Sequence, residues 1–309
     1  NKEPDIAEYL EPHDSFYVGS DLYYTYIVDN DLWALRIKQR TEDGYFTLAD
    51  DFARKLMEGS FSDAMREQFL RIIEYYGQDP YIIRSSSILE DGFGNAFAGK
   101  YESVFCANRG SLEERLEEFE NAIKTVYASS MSLSALDYRK RRGLDKRDEQ
   151  MALLIQRVSG SYYGNCYMPC AAGVGYSYSP YRVMKDSDPT CGMLRLVMGL
   201  GTSAVDRTEG SYPRIVNLDM PEKSSYSSSA DKHKFSQGKA EVINMTTHQL
   251  EKMSYDMLEP VIPKYLENIL LEHDYDAESR LPEMGRPRQV KFISCKGLVA
   301  NKKLMDQMK

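Results

Sequence analysis

Histidine, tryptophan and paired cysteine are scarce in this chain of 309 residues: four His, one Trp and five Cys. The cysteines at 106, 166, 170, 191 and 295 form no CxxC pair. Cys166 and Cys170 are four apart, with no histidine or second cysteine pair nearby, so neither a zinc site nor a disulfide framework is supported. That usage fits a reducing, cytoplasmic compartment. No apolar run approaches the roughly 18 residues that a membrane-spanning helix needs, and no signal peptide is evident. No GxxxxGK[ST] segment is present, and no GxGxxG opens a helix after a strand, so two common nucleotide-binding motifs are missing. Internal repeats are missing too. Positive charge is in deficit: 39 Lys and Arg stand against 47 Asp and Glu, a net charge of −8, which argues against a nucleic-acid surface.

What is abundant is ordinary apolar content, at 42%, beside 28% charged residues and 23 tyrosines, enough for a large core in one domain or two lobes. The tyrosines cluster at 162–181 without interleaved basic residues, which suits packing better than base stacking. The basic run Arg139-Lys140-Arg141-Arg142 ends a predicted helix, where cations complement the dipole. Helices are expected over 48–58 and 61–76, and over a stretch opened by the capping box Ser111-Leu112-Glu113-Glu114. A further helix ends at Arg142 before Gly143. Strands are expected at Tyr81–Arg84, 151–158, 172–178, 192–198 and 214–219. Thr247 to His273 reads as one long or two short helices broken near Pro260 and Pro263, followed by a strand at 289–295 and a last helix at 298–308. The elements interleave without clean βαβ alternation, which favours a mixed α+β layout.

The segment from Arg84 to Ser103 is the most informative. It reads Arg-Ser-Ser-Ser-Ile-Leu-Glu-Asp, then Gly92, Gly94 and Gly99, then Glu102-Ser103. An arginine at a strand end facing small residues with available N–H groups suits polyphosphate, because the guanidinium forks and the amides converge on oxygens. A polar turn, with Arg84 ion-paired to Glu90 or Asp91, is the competing reading. Glu90 and Asp91 suit ordering the loop better than acting as a base. Gln156 and Val158 end an apolar strand, and alternation points them to one side; a half-exposed strand end is the plain alternative.

This run resembles the nucleotide-binding domain of phosphoenolpyruvate synthase and pyruvate phosphate dikinase, whose pattern is R-S-S-x-x-x-E-D, a spacer, then F-A-G-x-x-E-[ST]. The matching residues are Arg84, Ser85, Ser86, Glu90, Asp91, Phe97, Ala98, Gly99, Glu102 and Ser103. Further blocks follow in family order from about 80 to 220: Tyr127-Ala128-Ser129, Tyr138-Arg139, Leu154 to Val158, Gly173 to Ser177, and Gly199-Leu200-Gly201. The resemblance implies an ATP-grasp-like, two-lobed fold and ATP as ligand. It implies Arg84, Gly99 and Ser103 at the phosphates, Arg84 also as the catalytic cation, and Gln156 and Val158 at the adenine.

Three departures accompany it. Thr202 stands where the family has the acid of G-L-G-E. The opening G-G-K segment is missing, and so are the closing D-x-E-[FW] and Q-x-R-P strands that carry the Mg2+ ligands. Asp276-Ala277-Glu278 has the spacing of the first but reads as a solvated helix end. No metal ligand is therefore assigned, and Mg2+ is expected to be held by residues outside this chain, an incomplete domain cut at both ends and inactive alone. The expected organisation is a first lobe over 1–150 with the phosphate loop 84–103, a β-rich lobe over 151–245 with the adenine-side strand, and a helical segment over 246–309. None of His13, His233, His248 and His273 lies in the family's phosphohistidine context. The acceptor histidine and the pyruvate or other acceptor are expected on other domains. Two functions remain: the ATP-binding part of a dikinase-type phosphotransferase, or a nucleotide-binding regulatory module of the same fold. Neither membrane nor nucleic acid is expected as a partner.

Overall fold

The computed structural model describes residues 10, 14–90, 99–181, 186–205, 212–223, 226, 228–275 and 291–308. The described residues divide into two compact units, one within Glu11–Val158 and the other within Ser159–Lys309 together with Leu10. The layout is mixed α+β, as the interleaving implied.

In Glu11–Val158, four strands form an antiparallel sheet: β1 (Ser15–Val18), β2 (Tyr81–Ser87), β3 (Ser103–Cys106) and β4 (Met151–Arg157), in the order β1-β4-β2-β3. Alternation assigns the faces. Tyr81 and Ile83 of β2 and Met151, Leu153 and Ile155 of β4 are buried, because every second residue meets the helices. Among these are α1 (Ser20–Asp29), α2 (Trp33–Gln39), α3 (Gly44–Thr47), α4 (Ala49–Glu58), α5 (Asp63–Tyr76), α6 (Leu112–Ser129) and α7 (Leu133–Arg141). They contribute Tyr23, Phe52, Phe69, Ile73, Phe119 and Val126 to one core.

The expected helices at 48–58 and 61–76 are found at Ala49–Glu58 and Asp63–Tyr76. The capping box is complete. Glu114 N–H donates to Ser111 Oγ at 3.2 Å, and Ser111 N–H donates to the Glu114 carboxylate at 2.7 Å. Gly143, at φ +67°, follows the end of α7. The strand expected to stop at Arg84 runs on to Ser87. The strand carrying Gln156 pairs with β1 and β2, so the boundary expected at 150/151 lies at 158/159.

In Ser159–Lys309, the sheets that matter are β7-β8-β9 and β11-β10-β6-β5. Their strands are β5 (Ser161–Tyr163), β6 (Cys166–Met168), β7 (Ala172–Tyr176), β8 (Met193–Val197), β9 (Arg214–Asn217), β10 (Lys239–Asn244) and β11 (Gln249–Ser254). The helix expected from Thr247 is corrected here: 249–254 is a strand paired along its length with 239–244, and His248, at φ +57°, lies in the turn between them. Leu250 and Met253 fit a helical spacing as well as a strand, and pairing with a partner outside the window decided between them. Only Tyr255–Leu258 and Lys264–Leu270 are helical in that stretch, and Leu271–His273 is again a strand. The segment 246–309 is therefore mixed rather than helical. The last expected helix is two short ones, Lys296–Val299 and Lys302–Met308. No helix among the described residues is long and apolar enough to cross a membrane, and none of the five cysteines is joined in a disulfide among the described residues.

Removing the Ser111 hydroxyl removes one half of the capping box. Ser111→Ala is expected to cost about 1 kcal/mol, read as a lower urea midpoint at unchanged slope. A second prediction concerns alkali. The Tyr24 phenol is pushed up to about 12, first by burial and second by donating to the Asp148 carboxylate. Its folded value lies above its ordinary 10.0, so its stabilising contribution is full below that pH and is lost as pH rises towards about 12. In urea melts across that window, Tyr24→Phe should fall less steeply than the parent; an identical slope would exclude the linkage.

Candidate functional site

Register brings the sequence-predicted residues together. Tyr17, Leu154, Arg84 and Ser103 stand opposite one another in a single row across all four strands. Ser15, Gln156, Ile82 and Phe105 form the next row. Residues paired across an antiparallel ladder share a face, and rows two residues apart share it too. Arg84, Ser103 and Gln156 therefore lie on one face, opposite the helical core, and Arg84 and Gln156 are diagonal neighbours.

Arg84 is exposed, and its guanidinium has no ion pair or side-chain hydrogen bond among the described residues. The ion pair with Glu90 that sequence allowed is not formed. Asp91, like residues 92–98, lies outside the described residues. Glu90 instead orders the turn, as expected: Ser85 Oγ donates to Oε1 at 2.6 Å and Ser87 N–H to Oε2 at 2.8 Å. The three serines after Arg84 thus divide by alternation. Ser85 and Ser87 serve the scaffold, and exposed Ser86 shares Arg84's face. Gly99 sits at φ +74°, a conformation that favours glycine, four residues before Ser103.

At the other end, Gln156 Nε2 donates to Ser15 Oγ at 3.2 Å. Val158 does not continue the alternation. The strand ends at Arg157, Val158 is buried, and its N–H donates to Pro80 O at 2.9 Å. The two residues therefore do not project to one side of a common strand. In the other unit, Gly199-Leu200-Gly201 forms a turn in which Gly199 lies at φ +85°. A Cβ there would meet Glu241 O at 2.5 Å, and Leu200 N–H donates to that same oxygen at 2.9 Å. Thr202 follows at the start of a short helix, Thr202–Val205, with its hydroxyl buried and without a hydrogen-bond partner among the described residues.

Sequence reasoning missed a buried polar cluster beneath the Arg84 end of the sheet. The Glu149 carboxylate accepts from Ser87 Oγ, from Tyr101 OH and from Arg139 Nη1, the last at 3.0 Å. Arg139 also donates to Ser130 O at 2.6 Å. Glu149 is 3% exposed and Arg139 5%. Burial leads the causes that raise the Tyr101 phenol. Arg139 belongs to the Tyr138-Arg139 block quoted above, and Tyr101 to the Arg84–Ser103 run. Glu149 belongs to no motif, and its partners are distant in sequence.

No cluster of three or more His, Cys, Asp or Glu side chains suited to a metal ion occurs among the described residues. The described residues therefore offer no side-chain set that fits a bound magnesium. The family model of the pyruvate phosphate dikinase AMP/ATP-binding domain matches residues 5–275. No curated protein matches the chain.

Exposure, with no side-chain partner among the described residues, makes Arg84 dispensable for folding, whereas Glu90 closes a turn. Arg84→Ala should leave stability within about 0.5 kcal/mol, while Glu90→Ala should cost about 1–2 kcal/mol by stranding two donors. Chemical denaturation of both variants checks this, and a large loss in Arg84→Ala would show a scaffold role.

Proposed function

The chain belongs to the family of the pyruvate phosphate dikinase AMP/ATP-binding domain, and from that premise we propose that it binds ATP on the open sheet face, with the phosphates at Arg84. One observation carries this reading. A cation without an ion pair or side-chain hydrogen bond among the described residues stands directly opposite Ser103 on an open face, in the twenty-residue run that resembles the family's phosphate-binding segment. Charge-assisted bonds from a forked guanidinium suit phosphate oxygens. The Ser103 hydroxyl and the Gly99 N–H lie on the neighbouring segment to share them.

Gln156 is the residue proposed for the adenine. The diagonal from Arg84 to Gln156 is short for an extended nucleotide, so ATP touching both would fold back over the sheet. In the proposed reaction of the dikinase type, ATP gives AMP and phosphate passes by way of a histidine on another domain to pyruvate or another acceptor. Here the domain's part is alignment and charge neutralisation, which dominate phosphoryl transfer. A second reading, a nucleotide-binding regulatory module, is favoured by one observation: Thr202 in place of the family acid.

Calorimetric titration of the chain tests the binding face. Arg84→Ala should weaken ATP by roughly 1.5–3 kcal/mol, the range for a hydrogen bond to a charged group. Gln156→Ala should cost about 1–2 kcal/mol and relax the preference for ATP over GTP. Unchanged ATP affinity in folded Arg84→Ala would remove the phosphate assignment. Unchanged affinity and base preference in Gln156→Ala would remove the adenine assignment alone.

A further inference from the structure

The β2–β3 ladder ends at the pair Arg84 and Ser103. Past it, Ser85 to Ser87 pair with β4, and Gly99 to Glu102 lie outside the strands. Backbone hydrogen bonds between β2 and β3 therefore do not set where Gly99 sits relative to Arg84. Side chains do. Ser87, three residues after Arg84, and Tyr101, two after Gly99, donate to the same Glu149 carboxylate. Arg139 holds that carboxylate from α7 and is itself bonded to Ser130 O, just past the end of α6. A second tie lies alongside, where Glu102 N–H donates to Ser129 Oγ at 3.1 Å.

Resting on the phosphate reading above, we propose that Glu149 is a positioning residue for the phosphate-binding segment. Its carboxylate, oriented by Arg139, binds the Ser87 and Tyr101 hydroxyls together and so fixes Gly99 and Ser103 against Arg84. Two physical points support the assignment. A buried ion pair is a poor general stabiliser, since an apolar pair of the same volume often does as well, so its value lies in orientation. A carboxylate also offers about four lone-pair sites. Three donors from three different segments use Glu149, and a shape-matched amide would set its own N–H groups against them.

The test uses the chain itself, with ATP and adenosine as probes. Glu149→Gln is expected to weaken ATP binding about tenfold, equivalent to about 1.4 kcal/mol, and to leave adenosine binding within about twofold. Amide exchange over Gly99 to Ser103 should quicken. Tyr101→Phe keeps the ring, removes one donor and serves where Glu149→Gln does not fold; it should move both readouts in the same direction by less. The double variant should be no worse than Glu149→Gln, because the two act as a unit.

Equal losses for ATP and adenosine would mark a merely structural role and overturn the proposal. So would unchanged exchange and unchanged ATP affinity in Tyr101→Phe. A wild-type chain that binds no ATP would overturn the nucleotide reading and, with it, the phosphate part of this one. In that case exchange in Tyr101→Phe still decides whether Glu149 positions the segment.

Discussion

Two consecutive carboxylates, Asp148 and Glu149, join most of the first unit. Asp148 accepts from Tyr24, Arg36 and Arg40, and so ties α1 and α2 to the segment entering β4. Glu149, turned the other way, accepts from Ser87, Tyr101 and Arg139. Taking Glu149 out of water costs several kcal/mol, and only a full set of donors offsets that. Each donor then acquires a fixed place, because leaving one unmatched in a buried site costs about 1–3 kcal/mol. The register of β4 against β2, on which the rows of the candidate site depend, starts from this segment: Met151, two residues after Glu149, faces Ser87.

A sheet with one face on a core leaves its other face available, and residue parity alone decides which side chains go where. Tyr81, Ile83 and Ser87 are buried, while Arg84 and Ser86 are exposed. Shifting β2 by one residue would bury the guanidinium and expose Ile83, at a cost in both charge burial and lost apolar contact. The same parity that fills the core therefore holds Arg84 outward. Its strand is paired on both sides, with β3 and β4, which makes it a more exact platform than a loop. The expectation of an arginine at a strand end was thus off by three residues, and the difference improves the geometry: a mid-strand cation holds its position without help from a partner side chain.

What could be read from the sequence was local. The capping box needs only Ser111 and Glu114, and the α5 pattern needs only its own apolar spacing, so both were legible. Arg84 and Ser103 were recognised as a pair of motif residues, but their direct opposition is a property of the ladder. The hairpin at 239–254 was read as helix because its deciding partners lie outside any local window. Val158 was placed beside Gln156 by extending alternation one step too far, past the point where its N–H turns to Pro80. Glu149 was invisible for the plainest reason. Its donors lie 62, 48 and 10 residues away, and no spacing rule joins them.

Thr202 bears on how far the binding face and any transfer chemistry are coupled. A threonine has a hydroxyl in place of a carboxylate, and this one is buried, without a hydrogen-bond partner among the described residues, beside the Gly199–Gly201 turn. Replacing an acid by a hydroxyl removes a full negative charge but keeps a group that both donates and accepts. Binding of a neutral sugar or base is compatible with that exchange. A role that needs formal charge, such as holding a cation against phosphate oxygens, is not. Arg84 lies in the other unit. The exchange at Thr202 therefore removes a charge without altering the Arg84 guanidinium, on which the proposed phosphate contact rests.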